Sequence, residues 1–141
     1  FNVFGPRQDV DSPYAAAIPV FLCRALRGEP LTVFGDGSQT RDFVYVADVV
    51  AANLHAATCP AGVYNVGTGT RTGIGPLAEE IAQMVSPTVT VAYGEPRPGD
   101  ILHSRASIEM LTATGWRPRA DFGEALHATR KYYQGKGVGE R

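Results

Sequence analysis

Short β-rich runs alternate with helical segments along this chain, and this alternation limits its fold more than any other feature. The predicted strands, rich in β-branched and aromatic residues, are 1–4, 31–34, 43–46, 63–66 and 88–93. The predicted helices are 19–27, 48–58, 74–86, a short helix capped by Ser107, and a final helix from about 121 to 134. Strands that alternate with helices in this way predict the α/β fold class.

The sequence lacks the dinucleotide-binding loop that a complete nucleotide-binding fold of this class would contain. Such a fold carries a glycine-rich turn between a strand and the helix that follows it. The nearest match here is Gly67-Thr-Gly69, which lacks the third glycine at the required spacing. We interpret it as a tight turn after the predicted strand 63–66.

Composition narrows the range of partners. Of the 141 residues, 44% are hydrophobic and 19% charged, as is typical of a soluble globular domain. The net charge of −1 gives no basis for a nucleic-acid or anionic-membrane partner, and no apolar run is long enough to span a membrane.

Cys23 and Cys59 match no metal motif, so we predict buried free thiols in a cytoplasmic protein. Eleven arginines outnumber two lysines, which suits phosphate binding, although a compositional bias also explains the excess.

Four segments stand out by their order and separation: FNVFGPRQ at 1–8, LTVFGDGSQTRDFVYVADV at 31–49, YNVGTG at 64–69 and RPGD at 97–100. Together they resemble the extended short-chain dehydrogenase/reductase family, in the group of the UDP-glucose and UDP-N-acetylglucosamine 4-epimerases. The resemblance covers residues 1 to about 134. It implies an NAD-dependent UDP-hexose 4-epimerase that acts by transient oxidation at C4, on UDP-glucose and UDP-galactose, with the N-acetyl forms also open.

Two arginines are the main candidates for holding a diphosphate. Gripping two negative charges requires cations and donors that converge from separate segments. Arg41 follows a glycine turn, and Arg97 lies in a proline-stiffened loop. The resemblance implies that both bind the diphosphate of the UDP-sugar. The alternative is structural pairing with Asp42 or Asp100.

The resemblance also implies contacts with the rest of the substrate. The aspartate of RPGD, Asp100, binds the ribose, and Asn2 binds the diphosphate or the sugar. The backbone at Val33 and the aromatic ring of Phe34 hold the uracil. Gln8 lies in a segment that resembles the lining of the sugar pocket.

Three further positions follow from the same resemblance. The segment Tyr14-Ala15-Ala16 resembles another part of the sugar-pocket lining. Ser104, four residues after Asp100, is small at a place where bulk would limit the C2 substituent, so UDP-N-acetylhexosamines stay open as substrates. Phe1 matches an aromatic position beside the nicotinamide and is the only predicted NAD contact.

The catalytic elements of the family are expected to be missing from this chain. In the family, the NAD loop and a Tyr-x-x-x-Lys pair precede the FN motif. That spacing recurs at Tyr132 and Lys136, but near the chain end, and we interpret it as chance. We therefore predict no catalytic residue, no metal ligand and no activity for the chain alone.

The resemblance gives the domain organisation. We predict a nucleotide-sugar-binding carboxy-terminal domain over 1–134, with remnant strands of the NAD-binding Rossmann sheet, and a flexible tail over 135–141. The NAD-binding domain itself is expected to be absent. Because the strands FNVF and YNVG would then expose apolar edges, we predict a homo-oligomer.

Two alternatives to the epimerase remain open at this stage. One is part of a nucleotide-sugar 4,6-dehydratase or a UDP-glucuronate decarboxylase. The other is a binding module that holds a nucleotide-sugar without chemistry.

Overall fold

A computed structural model describes residues 1–10 and 16–138 and has the predicted α/β architecture. Its strands are β1 Asn2–Phe4, β2 Leu31–Phe34, β3 Thr40–Arg41, β4 Phe43–Tyr45, β5 Thr72–Gly73 and β6 Val91–Gly94. Its helices are α1 Ala17–Leu26, α2 Val46–Ala56, α3 Ile74–Val85, α4 Glu109–Ala113 and α5 Phe122–Gly135. None of the described helices is long and apolar enough to cross a membrane.

Three small strand pairs organise the described chain. β1 lies parallel to β4, with Val3 opposite Val44, and β2 lies parallel to β6, with Val33 opposite Tyr93. β3 and β5 are antiparallel. Parallel strands require a crossover between them, and the helices of this chain supply the crossovers.

The main core lies where α1, α3 and α5 pack against β1, β2 and β4. Ile18 and Leu22 of α1, Leu31 of β2 and Ile81 of α3 are fully buried in it. Pro19 falls in the first turn of α1, where its missing N–H costs no helical hydrogen bond. A second, smaller cluster joins α2 and α4 and includes Trp116.

Tyr133 near the end of α5 ties the first loop of the chain to this core. Its hydroxyl donates to the backbone oxygen of Gln8 at 2.7 Å. Burial raises the pKa of Tyr133 to about 12. The helix continues through Gly135, and Val138 packs partly buried against the core, while 139–141 lie outside the described residues. The predicted tail over 135–141 therefore stays a prediction, with its first residue in the helix.

The predicted strand at 63–66 is wrong. No strand forms there, and the side chain of Val63 is 87% exposed. The segment is held by side chains instead, since Asn65 Nδ2 donates to the Ser107 backbone oxygen at 3.1 Å. Among the described residues no strand runs alongside it, and a single strand cannot satisfy its own backbone groups.

Two helix starts test the capping predictions. Asp121 caps α5, where its carboxylate accepts from the Glu124 backbone N–H at 2.9 Å. The cap predicted at Ser107 is wrong, because Ile108 precedes α4 and the Ser107 hydroxyl donates to the Glu109 side chain. A short helix with a carboxylate in its first turn offers that hydroxyl a charged acceptor, which makes the stronger bond.

Asp42 is a fully buried carboxylate that joins three segments of the chain. It accepts from the Thr68 N–H at 2.8 Å, the Thr68 hydroxyl at 2.6 Å, the Gly69 N–H at 2.9 Å and the Ala106 N–H at 3.1 Å. An ionised carboxylate has about four lone-pair sites, so this set saturates it. The glycine turn after 63–66 is thereby tied to β3 and to the segment before α4.

Substitution of Asp42 by Asn should destabilise the chain strongly. An amide keeps the shape, but its NH₂ group faces donors that need an acceptor, so we expect a loss of about 3 kcal/mol in the free energy of unfolding. Urea denaturation followed by circular dichroism measures it. The matched control is Asp36→Asn in the exposed turn before β3, which should shift the midpoint far less. Equal shifts for the two variants would contradict the role assigned to Asp42.

Candidate functional site

A cavity of about 360 Å³ opens between α1, β2, β3 and the loop after β6. Its wall combines apolar surface from α1 and β2 with polar groups from β3 and the loop. The lining residues include six of the eight predicted substrate-binding positions: Asn2, Val33, Phe34, Arg41, Arg97 and Asp100. The fold thus brings together residues that are up to 98 positions apart in the sequence.

Arg41 is the best-anchored cation of this wall. Its Nη1 donates to the backbone oxygens of Thr40 at 2.9 Å and Ile101 at 2.5 Å, and its Nη2 pairs with Asp100 Oδ1 at 2.5 Å. The structural pairing that the sequence left open is therefore present. It coexists with a position on the cavity wall, so the Arg41–Asp100 pair is part of the site.

Arg97, the second predicted cation, also lines the cavity. Its guanidinium carbon lies 3.9 Å from the centre of the Phe34 ring, which is a cation–π contact. Gly99 has a φ of +79°, and the Asp100 N–H donates to the Arg97 backbone oxygen at 3.1 Å, so 97–100 form a tight turn. This turn brings Asp100 to Arg41.

The loop after this turn is fastened to β3 through Thr40. The Thr40 N–H donates to the Leu102 backbone oxygen at 2.8 Å, and the Ser104 N–H donates to the Thr40 backbone oxygen at 3.0 Å. The Thr40 hydroxyl also contacts His103 Nδ1 at 3.0 Å. β3 therefore fixes the position of both charged partners, Arg41 directly and Asp100 through its loop.

Asn2, the first residue of β1, lines the cavity. Its Nδ2 donates to the backbone oxygen of Asp42 at 3.2 Å, which leaves its amide oxygen as an acceptor. Val33 is 1% exposed and contributes wall rather than a side-chain contact.

The remaining predicted positions lie outside the wall. Gln8 donates from Nε2 to the Val3 backbone oxygen at 3.1 Å, Ser104 is held by its backbone, and Phe1 is 54% exposed. The segment 14–16 is described only at Ala16, which lines the cavity, and Tyr14 and Ala15 lie outside the described residues. The roles predicted for these positions stay predictions.

Sequence reasoning missed two residues of this region, Gln39 and Asp42. Gln39 lines the cavity and is 8% exposed, and its Nε2 donates to the Phe34 backbone oxygen at 2.5 Å. The available signal was position: Gln39 lies directly before β3 and two residues before Arg41, a main cation predicted for this site. Asp42 gave no local signal, because its side-chain partners lie 26 to 64 residues further along the chain.

The turn between β2 and β3 shapes the edge of the site. Asp36 accepts from the Ser38 N–H at 2.9 Å and from the Ser38 hydroxyl at 2.6 Å. The bond from the hydroxyl, and to a lesser degree the bond from the backbone N–H, hold the pKa of the Asp36 carboxyl below its usual value. Because its pKa is lowered, the Asp36 carboxylate keeps its charge and these two hydrogen bonds to a lower pH than an unperturbed aspartate would.

This arrangement is suited to binding an anionic ligand that has a flat ring. Two guanidinium groups face one cavity, an aromatic ring lies beneath one of them, and a carboxylate that can accept from hydroxyls lies beside the other. In the described part of the chain no cluster of three His, Cys, Asp or Glu residues could hold a metal ion. Tyr132 and Lys136 lie at the end of α5, away from the residues that line the cavity.

Comparison with known proteins shows which family the chain resembles. Residues 1–67 match the model of the NAD dependent epimerase/dehydratase family. The UDP-glucose 4-epimerase of Mycolicibacterium smegmatis is 37% identical over 139 residues, which are 96% of this chain and 44% of that protein. UDP-glucuronic acid decarboxylase 5 of Arabidopsis thaliana is 31% identical over 89% of this chain and 37% of that protein.

Solved structures give the same result for the fold. The UDP-N-acetylglucosamine 4-epimerase of Methanobrevibacter ruminantium M1, in complex with UDP-N-acetylmuramic acid, superposes with a TM-score of 0.90 at 43% identity. The match covers 96% of this chain and 44% of that structure, so the chain spans less than half of the length of the proteins it matches. Over residues 1–67 by sequence and over 96% of its length by fold, the chain is similar to the NAD dependent epimerase/dehydratase family, and the proteins that it matches include UDP-sugar 4-epimerases of the extended short-chain dehydrogenase/reductase family.

Proposed function

We propose that this chain is the substrate-binding portion of an NAD-dependent UDP-hexose 4-epimerase. The observation that carries the proposal is the cavity shared by Arg41, Arg97 and Asp100. Its volume of about 360 Å³ lies within the usual range of small-molecule sites, about 300 to 1,000 Å³. The likeness to UDP-sugar 4-epimerases supports the choice of substrate class.

In this proposal the diphosphate of the UDP-sugar binds between the two arginines. Arg41 offers a guanidinium held by two backbone oxygens, so little freedom is lost when it binds phosphate. The diphosphate then replaces Asp100 as the partner of Arg41, and the freed carboxylate accepts from the ribose hydroxyls. The uracil lies against β2 at Val33 and Phe34, and the Asn2 amide contacts the diphosphate or the sugar.

Bound NAD would supply hydride transfer at C4 of the sugar. Among the described residues only Phe1 is assigned to it, and that ring is 54% exposed and outside the cavity. These residues do not form an NAD pocket by themselves, so we assign NAD to the complete protein. The contribution of this chain is to bind and orient the nucleotide-sugar.

The proposal also covers the identity of the sugar and the cellular compartment of the protein. Ser104 and Gln8 are assigned to the sugar side, and the small Ser104 side chain keeps both UDP-hexoses and their 2-acetamido forms as substrates. We assign the protein to the cytoplasm.

The second candidate function, part of a UDP-glucuronate decarboxylase, is favoured by the 31% identity to the Arabidopsis enzyme over 89% of this chain.

Removal of either arginine should weaken UDP binding. We expect Arg41→Ala and Arg97→Ala each to raise the Kd for UDP at least about tenfold, equivalent to about 1.4 kcal/mol, because each removes a charge-assisted contact with phosphate. Isothermal titration calorimetry measures this. Arg119→Ala, which removes an exposed arginine outside the cavity, should leave the Kd unchanged. UDP binding that is insensitive to both cavity arginines would count against the site.

The 141-residue chain should not interconvert UDP-glucose and UDP-galactose. The only Tyr-x-x-x-Lys spacing in the chain, Tyr132 and Lys136, lies away from the cavity, so no general base of this type faces the sugar. A coupled assay with added NAD, run alongside a full-length epimerase as positive control, measures turnover. Clear turnover would refute the assignment of this chain to substrate binding alone.

The isolated chain should self-associate. Among the described residues β1 pairs only with β4, so the outer edge of β1 has no partner strand. The side chains of Phe1 and Val63 are 54% and 87% exposed. Light scattering over a range of concentrations should report a mass above 15.1 kDa. A clean monomer at all concentrations would show that these surfaces do not drive association.

A further inference from the structure

The outer side of α2 carries large apolar side chains and no Asp, Glu, Lys or Arg. Val50 is 54% exposed and Leu54 is 73% exposed, and Ala47 and Ala51 are exposed beside them. These four positions follow the spacing i, i+3, i+4 and i+7, which places them on one face of the helix. The acidic residue of the helix, Asp48, is buried and accepts from two backbone N–H groups.

The helices α3 and α5 face solvent in a different way. The exposed positions of α3 include Glu79 and Glu80, and those of α5 include Glu124 and Lys131. A surface helix is normally polar on its outer side, whereas a helix that is apolar on all sides is normally buried. Because α2 already packs against β1 and β4, its outer side is the one that lacks a cover among the described residues.

The shape of this face is suited to a second copy of itself. Helices pack when the row of side chains at i and i+4 on one helix lies in the groove beside such a row on the other. In α2 the row of Val50 and Leu54 protrudes, and the neighbouring row of Ala47 and Ala51 is low. Grooves of about 410 Å³ and 230 Å³ border the low row, the first at Ala47 and the second at Ala51. A two-fold axis therefore brings the protruding row of each copy onto the low row of the other.

The charge of this face also favours a second copy. In a two-fold interface the same patch contributes both sides, so a charged patch brings like charges together. Two copies of α3 would oppose Glu79 and Glu80 to the same residues, whereas two copies of α2 meet without burying a charge. The net charge of the whole chain is −1, so long-range repulsion between copies is small.

We infer that α2 is the contact surface of a homodimer of this chain, with the two helices antiparallel and Val50 of each copy against Ala51 of the other. The helix has 11 residues and is about 16 Å long. Stable interfaces bury about 1,200 to 2,000 Å² in total, which is more than one pair of helices of this length provides. The dimer is therefore weak, with a Kd in the micromolar to millimolar range. Neither Val50 nor Ala51 lines the ligand cavity, so the inference does not depend on the proposed function.

Sedimentation velocity of the 141-residue chain over a range of concentrations tests the inference. The unchanged chain should shift from monomer to dimer as its concentration rises. Val50→Glu and Ala51→Lys should each raise the dimer Kd at least about tenfold, because each places an unpaired charge in an apolar contact. An equimolar mixture of the two variants should recover the dimer, because the Glu of one copy then pairs with the Lys of the other.

The matched control is Met110→Glu, which places the same charge on a residue of α4 that is 63% exposed. This variant should dimerise like the unchanged chain, and loss of its dimer would show that the association is not specific to α2. If Val50→Glu dimerises as strongly as the unchanged chain, another surface such as the edge of β1 drives association, and the inference is wrong.

Two further outcomes would also overturn the inference. A mixture of Val50→Glu and Ala51→Lys that stays monomeric contradicts the antiparallel pairing. An unchanged chain that is monomeric at every concentration shows that α2 contacts a different polypeptide. Circular dichroism verifies that each variant keeps its fold, and calorimetry with UDP should give the same Kd for Val50→Glu as for the unchanged chain. A failure of UDP binding is thereby distinguished from a failure of dimerisation.

Discussion

The buried carboxylate of Asp42 is the interaction on which the rest of the structure depends. It lies directly after Arg41, and its own backbone oxygen accepts from Asn2, so the same residue orders two sides of the cavity. Its carboxylate meanwhile holds the glycine turn at 68–69 and the segment before α4. A charge in the interior is tolerated because backbone donors from distant segments surround it. The folding of these segments and the shape of the ligand site are therefore linked at one point.

The parts of the fold that depend on local chemistry could be predicted from the sequence. α1, α3 and α5 follow apolar spacing and, for α5, a capping aspartate. The strand at 31–34 is also local, since β-branched and aromatic residues lie between two turn segments. The strand predicted at 63–66 failed because a strand needs a neighbour, and neighbours are a property of the tertiary structure. Ser107 failed because a nearby carboxylate competed for the same hydroxyl.

The candidate site shows the same division. Arg41, Arg97 and Asp100 were predicted because charged residues between glycines and prolines are conspicuous, and a known family pattern gave them roles. Gln39 was overlooked because nothing about an uncharged residue between a turn and a short strand reveals that one end of it is buried and unpaired. The position of this side chain depends on Phe34 and Gly35, which contact it only in the folded chain.

The pairing of Arg41 with Asp100 gives the empty site its own counter-ion. An incoming anion must exchange with a carboxylate that the turn at 97–100 already holds in place, so binding is a replacement and not a simple addition of opposite charges. A small inorganic anion would have to displace this carboxylate with no other contacts to compensate. In the proposed function, a nucleotide would bring a ring and hydroxyl groups as well, and its hydroxyls would bind the displaced carboxylate. We therefore expect the internal ion pair to favour ligands that contact the whole wall over small inorganic anions.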